Sequence, residues 1–133
     1  MLFRSFRWFH RLHHLSHNPS PWTSYAFAPL EAVVQAAILP VVAMLYPIHP
    51  TPFAAFMVFQ FAVNVLIHSG YEIFPRSFMD SRLSRLLATP TGHVLHHEFG
   101  KGNYGFCFGF WDWLMGTNHS QYERRFRQTA LEP

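Results

Sequence analysis

Residues 29–68 read PLEAVVQAAILPVVAMLYPIHPTPFAAFMVFQFAVNVLIH, and Glu31 is the one charged residue among them. Two apolar runs, Pro29 to Tyr46 and Pro52 to Ile67, flank a proline-rich loop at residues 47–51. Each run is slightly shorter than the roughly 20 residues that cross a bilayer as a straight helix. Two short runs joined by a tight loop predict a membrane hairpin, either transmembrane or re-entrant. A buried hairpin in a soluble helical bundle is the alternative.

The basic residues predict the orientation of this hairpin. All ten Lys and Arg residues lie outside residues 29–68, on both sides of the stretch. By the positive-inside rule, both chain termini are expected on the cytoplasmic side of the membrane. A nucleic-acid-binding domain would instead spread basic charge over one surface with aromatic residues interleaved. We therefore expect an integral membrane protein with no nucleic-acid partner.

Length and composition narrow the class of protein further. A chain of 133 residues is expected to form a single domain. Only 13% of its residues are charged, whereas about a quarter are charged in soluble domains, and it contains 15 Phe and 4 Trp. Cys107 is the single cysteine, so the sequence has no CxxC motif and no internal disulfide. A metal site in this chain would therefore be built from its ten histidines.

The segments outside the hairpin predict further helices. Residues 1–20 carry aromatic and histidine side chains at spacings of three and four, which predicts a helix lying in the membrane interface, although a transit peptide is an alternative. Residues 76–118 are expected to form cytoplasmic helices. Within them Asp80 is expected to cap a short helix that ends before Pro90, and further helices are expected at 92–99 and 106–115. The predicted fold class is therefore all-α.

The motif HxxHH occurs twice, at His10, His13 and His14 and again at His93, His96 and His97. On a helix this spacing places three imidazoles on one face, within roughly 6 Å of one another. Two such segments facing each other can surround two metal ions. His68 ends the second apolar run, where an ionisable group is costly and indicates a functional site. Solvated histidine faces without a specific metal are the alternative.

Several motifs, in this order, resemble those of the fatty acid hydroxylase/sterol desaturase superfamily. Besides the two HxxHH motifs they are YAFAPLE at 25–31, HSGYE at 68–72, TP at 89–90, NYG at 103–105 and WD…GT from 111 to 117. The resemblance runs from about Trp8 to Thr117. It implies a membrane oxygenase with a non-haem dimetal centre that uses O2 and electrons to hydroxylate or desaturate lipid C–H bonds.

The resemblance also implies the site residues. The expected metal ligands are His10, His13, His14, His68, His93, His96 and His97, and the expected metal is iron, two ions per chain, with zinc in a purified or inactive form. Glu72, Asn103 and Asp112 match recurring positions and are expected to orient the histidine rings. No side chain beyond the metal ligands is expected to be catalytic. The expected partners are a membrane lipid, O2 and a separate electron-donor protein.

Two departures from the family pattern qualify these expectations. The family carries a further HxxxH motif upstream of the first HxxHH, whereas nine residues precede His10 here, and it often has His where Ala28 stands. The chain therefore resembles a partial domain, the C-terminal part of the family's domain, and we expect full activity to need the upstream motif. Oligomerisation is one way to restore the ligand count.

Two other functions compete with the oxygenase. The first is a catalytically inactive membrane protein that keeps a structural or vestigial histidine metal site, for which redox-inert zinc would be typical. The second is bis-histidine haem ligation in a membrane electron carrier, although haem needs two axial ligands and seven histidines are matched here.

Overall fold

A computed structural model describes residues 10–132 of the chain. These residues form helices joined by turns, with no β-strand among them, and an isolated bridge pairs Pro75 with Leu131. The all-α prediction is therefore confirmed over this range. Within it the α-helices, numbered in chain order, are α1 (Pro29–Leu45), α2 (Pro50–Ile67), α3 (Pro90–Phe99), α4 (Phe110–Met115) and α5 (Tyr122–Thr129).

The apolar stretch forms the two longest helices of the described residues, α1 and α2. Pro29 is the first residue of α1, and the helix continues through Pro40. In α2 the side chain of His49 caps the N-terminus by accepting a hydrogen bond from the Thr51 amide at 3.3 Å. Pro50 therefore begins the helix, because its fixed φ suits the first helical position and its missing N–H costs nothing there. The observed loop between α1 and α2 therefore ends before Pro50, earlier than the predicted loop over residues 47–51.

The surfaces of α1 and α2 are largely uncovered by the rest of the chain. Glu31 is the buried residue of α1 and Ile67 that of α2, whereas Met44 is 86% exposed and Val58 is 70% exposed. Among the described residues, α2 alone has the length and composition of a membrane-spanning helix, and α1 is an apolar helix of 17 residues. Exposed apolar faces of this size are typical of membrane contact or of an interface.

The first HxxHH motif lies in a tight turn. Residues 1–9 of the predicted interfacial helix lie outside the described residues. Within residues 10–20 the helical part is a 3-10 helix at His13–Leu15, entered by a hydrogen bond from the His14 amide to the His10 carbonyl at 3.4 Å. A second 3-10 helix, Pro21–Tyr25, leads into α1. The helix is therefore not continuous over residues 10–20, where Pro19 and Pro21 each remove a backbone donor.

Two 3-10 helices, Arg76–Asp80 and Arg82–Arg85, occupy the segment before α3. The prediction that Asp80 caps a helix is wrong. Asp80 ends the first of these helices, and its carboxylate instead accepts a hydrogen bond from Arg127 of α5 at 2.8 Å. Ser81 stands at the cap position of the second helix, and its extended backbone separates the two helices.

A small aromatic core joins the 3-10 helix Arg76–Asp80 to α5. Phe78 and Phe126 are buried with ring centroids 5.9 Å apart, and Ala130 packs with them. The hydroxyl of Tyr122 hydrogen-bonds that of Thr89 at 3.0 Å, directly before α3. A Cβ at Gly92 would lie 3.3 Å from the Tyr122 ring, so glycine lets α5 approach α3 closely. This core therefore supports the helix that carries the second HxxHH motif.

Candidate metal centre

Helix α3 carries the second HxxHH motif and is held firmly at both ends. Thr89 caps it by accepting a hydrogen bond from the Gly92 amide at 3.1 Å, and Gly100 ends it with φ of 64°. The helical spacing turns His93 and His97 to one side, where they are 8% and 1% exposed. A rigid helix with both ends fixed presents these imidazoles with little freedom.

The seven histidines predicted as ligands come together from three separate parts of the chain. His10, His13 and His14 come from the N-terminal turn, and His93, His96 and His97 from α3. His68 immediately follows α2 and is 2% exposed. The other three histidines lie apart: His17 is exposed, His49 caps α2, and His119 stacks on Phe99 at 4.5 Å.

These histidines divide into two groups by the distances between their ring nitrogens. The four-histidine group is His13, His68, His93 and His97, and the three-histidine group is His10, His14 and His96. Within each group the facing nitrogens all lie within 4.8 Å of one another. In the four-histidine group the Nε2 atoms of consecutive neighbours are 3.2, 2.9 and 3.2 Å apart. The seven histidines therefore form two groups, each of which could hold a metal ion.

Backbone carbonyls fix which ring nitrogen of several histidines carries the proton. A carbonyl oxygen can only accept, so Nδ1 of His68 donates to Asn64 at 2.8 Å and Nδ1 of His97 donates to Ser16 at 3.1 Å. In the three-histidine group Nδ1 of His96 donates to the Gly102 carbonyl at 2.9 Å in the same way. A neutral imidazole has one N–H, so each of these rings presents a bare lone pair at Nε2.

The protein environment keeps several of the clustered histidines neutral. Burial, followed by the neighbouring imidazoles, lowers the pKa of His13 to about 4 and that of His97 to about 3. The same causes lower the pKa of His14 to about 3 and push the pKa of His93 far below its ordinary value. Neutral imidazole is the form that binds metal, so these four histidines hold their donors ready at pH 7.

The donor set fits a transition-metal ion. Nitrogen ligands at 2.0–2.1 Å in a tetrahedron lie about 3.3 Å from one another, close to the observed Nε2 separations. The lone pairs of His68 and His97 face the same point, where they repel each other unless a proton or a cation lies between them. Imidazole suits iron, zinc, copper and nickel. The residues present therefore fit a metal in each group.

The three residues predicted to orient the rings bind the backbone around them instead. Glu72 accepts hydrogen bonds from the amides of Ile73 and Phe74 at 2.9 and 3.1 Å, and from the amide and hydroxyl of Thr91 at 3.1 and 2.6 Å. Four bonds on one buried carboxylate anchor the first turn of α3 to the segment that follows His68. Glu72 therefore positions two histidine-bearing elements relative to each other.

Asn103 and Asp112 organise the loop between α3 and α4. Asn103, with a positive φ of 48°, donates to the Gly92 carbonyl at 3.1 Å and accepts from the His119 amide at 3.0 Å. Asp112 accepts from the Tyr104 amide at 2.9 Å and the Thr117 hydroxyl at 2.6 Å. This loop supplies the Gly102 carbonyl that holds His96, so both residues act on the site through the backbone.

Glu31 contacts a histidine directly, although the sequence assigned it no role. Its Oε1 lies 2.6 Å from Nδ1 of His10, and the side chain is buried at the start of α1. The sequence did contain a signal for this role, because Glu31 is the one charged residue in the apolar stretch 29–68.

A cavity of about 320 Å³ opens beside both groups. His10, His93 and His96 line one side of it, and polar side chains of the two long helices, Gln35 and Gln60, line another. Phe106 also borders the cavity, and its ring centroid lies 5.8 Å from that of His93. A molecule held between α1 and α2 would thus be within reach of both histidine groups.

Comparison with known proteins accounts for this arrangement. The fatty acid hydroxylase family profile matches residues 2–117, nearly the whole chain. The chain belongs to the fatty acid hydroxylase family. Fatty acid hydroxylases use non-haem iron, and the clustered histidines of this member agree with that chemistry.

The relatives of this fatty acid hydroxylase family member include enzymes named for sterols. It is 28% identical to a Delta(7)-sterol 5(6)-desaturase of Gibberella zeae over 112 residues, which cover 84% of this chain and 30% of that protein. It is 27% identical to human lathosterol oxidase over 116 residues (86% and 37%), and 28% identical to methylsterol monooxygenase 1 of Danio rerio over 123 residues (92% and 41%). The chain thus spans about a third of the length of these relatives. No solved structure matches it.

Proposed function

We propose that this chain carries the metal centre of a membrane-bound lipid hydroxylase or desaturase. The proposal rests chiefly on the lone pairs of His68 and His97, which hydrogen bonds to backbone carbonyls direct toward one point between four buried imidazoles. Burial of several neutral, facing imidazoles has little value for packing alone, whereas it suits a bound cation. Family membership supports the same chemistry.

The proposed ligands are the seven histidines, in two groups that would hold two non-haem iron ions. Iron would supply the redox chemistry: with O2, two electrons and two protons, hydroxylation adds one oxygen atom to the lipid and releases one water, whereas desaturation removes two hydrogens and releases two waters. The protein would supply ligand geometry and a site shielded from water. The side chains that orient the ligands are Glu72, Asn103 and Asp112, acting through the backbone as described above.

The proposed substrate is a sterol-like membrane lipid. Three relatives named above act on sterols or are named for them, and the cavity beside the histidines opens between the two apolar helices α1 and α2. Gln35, Gln60 and Asn64 are the amide side chains that border this cavity, and Phe27 and Phe106 add aromatic surface. A mostly hydrocarbon molecule with a polar group matches such a lining.

The proposed location is an integral membrane position with both termini on the cytoplasmic side. Exposed apolar helices support membrane contact, and arginines such as Arg82 and Arg85 lie outside those helices. Electrons would come from a separate donor protein at this basic face. Single cysteines introduced near each end should both react with an impermeant thiol reagent from the cytoplasmic side. Labelling from opposite sides would contradict this topology.

Turnover with a chemical reductant tests the function. Protein loaded with Fe(II) in detergent should convert a Δ7-sterol or a methylsterol to an oxidised product when O2 is added, as measured by mass spectrometry. His96→Ala and His97→Ala should abolish the product, whereas His119→Ala should retain it because His119 lies outside both groups. Tight zinc binding with no O2-dependent product would favour a structural metal site, which the complete burial of the four-histidine group also suits.

A further inference from the structure

Glu31 is a buried acidic residue at the start of an apolar helix. It is 5% exposed, and the next charged residue along the chain is Glu72. A carboxylate taken out of water costs several kcal/mol unless nearby groups compensate its charge. Such a residue in a membrane-facing segment therefore needs a specific partner.

The contacts of Glu31 are made by one of its two oxygens. Oε1 accepts hydrogen bonds from Nδ1 of His10 at 2.6 Å and from Nε2 of Gln35 at 3.0 Å. Oε2 is buried and has no hydrogen-bond partner among residues 10–132. Glu31 also lies in the first turn of α1, where the helix dipole favours a negative charge. Among residues 10–132 the hydrogen-bond partners of this carboxylate are therefore His10 and Gln35.

His10 is a partly exposed member of the three-histidine group. Within residues 10–132 it lies in the turn before the 3-10 helix His13–Leu15, and its side chain is 34% exposed. His96 of the same group is fixed by α3 and by the Gly102 carbonyl. A 2.6 Å hydrogen bond to a carboxylate holds the His10 ring and leaves Nε2 as its metal-binding atom.

We propose that Glu31 is a positioning residue that orients the ring of His10 toward the other two histidines of the three-histidine group. This inference rests on the proposed metal centre. Within residues 10–132 no carboxylate contacts a ring of the four-histidine group, so the two groups differ in this contact. Glu31 also belongs to α1, and through it the metal-binding turn is tied to a helix of the apolar stretch.

Titration of metal-free protein with Co²⁺, followed by its visible absorption and by elemental analysis, tests the inference without any turnover. Wild-type protein should bind two ions per chain. Glu31→Ala should weaken one of the two sites by about 10- to 100-fold and leave the other unchanged. Glu31→Gln keeps the size of the side chain and one acceptor oxygen, so it should weaken that site less. Glu123→Gln is the matched control, because Glu123 is an exposed carboxylate paired with Arg127.

A double-mutant cycle separates positioning from a general effect on folding. His10→Ala should weaken the same site, and the Glu31→Ala/His10→Ala double variant should be no weaker than His10→Ala alone, because Glu31 acts through His10. Additive losses, or two unchanged sites in Glu31→Ala, would overturn this inference and leave the metal centre standing. Wild-type protein that binds no Co²⁺ would overturn the proposed metal centre as well.

Discussion

The four-histidine group and the three-histidine group share the two HxxHH motifs but differ in burial and in their contact with a carboxylate. His13, His68, His93 and His97 are all buried, and they come from the N-terminal turn, the end of α2 and α3. In the three-histidine group His10 is half-buried, and its ring is hydrogen-bonded to the carboxylate of Glu31. One group thus has four buried rings, and the other is a smaller set in which a carboxylate contacts one ring.

This difference indicates unequal metal sites. Four facing nitrogens can complete a tetrahedral shell, as in closed structural sites, whereas three leave a position for a molecule from outside. We therefore expect the four-histidine group to bind its ion more tightly. The three-histidine group is expected to be easier to empty and more dependent on its surroundings.

The largest effect is expected from His97→Ala, which removes a fixed donor from the four-histidine group. Loss of a ligand should exceed the 10- to 100-fold typical for residues that only support a ligand, so affinity there should fall by more than about 100-fold. The three-histidine group should keep its ion, as measured by metal titration. Equal loss from His119→Ala, which lies outside both groups, would contradict the assignment.

Glu72→Ala should damage both groups at once and so remove the contrast between them. It strips the hydrogen bonds from the amides of Ile73, Phe74 and Thr91, and α3 carries histidines of both groups. Burying unsatisfied amides should lower the free energy of unfolding by about 3 kcal/mol. Chemical unfolding in detergent measures this loss. A variant as stable as wild type, with one group selectively emptied, would argue against an anchoring role.

His96→Ala is expected to affect the three-histidine group alone. Two donors would remain there, so its affinity should fall by more than about 100-fold, as for any lost ligand, while the four-histidine group stays filled. Elemental analysis after brief dialysis should then find one ion per chain. Simultaneous loss of both ions from this variant would show that the two groups form a single cooperative site.

Lowering the pH should destabilise the metal-free protein. Above pH 6.5 His13 and His97 are neutral in both the folded and the unfolded protein. Below pH 6.5 these two histidines bind protons in the unfolded chain but not in the folded protein, where their pKa values are lowered to about 4 and about 3. Each such histidine should cost about 1.4 kcal/mol of stability per pH unit between pH 6.5 and about 4. Unfolding at several pH values should give a shallower slope for His97→Ala. An unchanged slope would contradict the burial of these rings.

The sequence alone was sufficient to predict the long helices and the histidines that meet. The two apolar runs predicted α1 and α2 with boundaries within two residues of those observed. Prolines made this possible, because they are common at the first position of a helix. Repetition of HxxHH, together with His68 at the end of an apolar run, identified the seven residues that now form two groups. Local spacing carries that information directly.

The tertiary contacts around the histidines could not be predicted from the sequence. The division into four and three histidines depends on how the N-terminal turn packs against α3, and no spacing rule contains that packing. The hydrogen bond between Glu31 and His10 joins residues 21 positions apart. Helix α5 was not predicted, although its Phe126 is fully buried in the core beside α3. The sequence of α5 is mostly charged or polar, so its one buried residue, Phe126, gave no apolar pattern from which to predict the helix.

Metal content per chain tests the central claim most directly. Protein purified without oxygen and without an affinity tag should contain two iron ions per chain by elemental analysis, with one ion released more readily by a chelator. His96→Ala should lose the readily released ion, and His97→Ala the tightly held one. A chain that holds no transition metal under these conditions, or the same metal content in both variants as in wild type, would contradict the two-group metal centre.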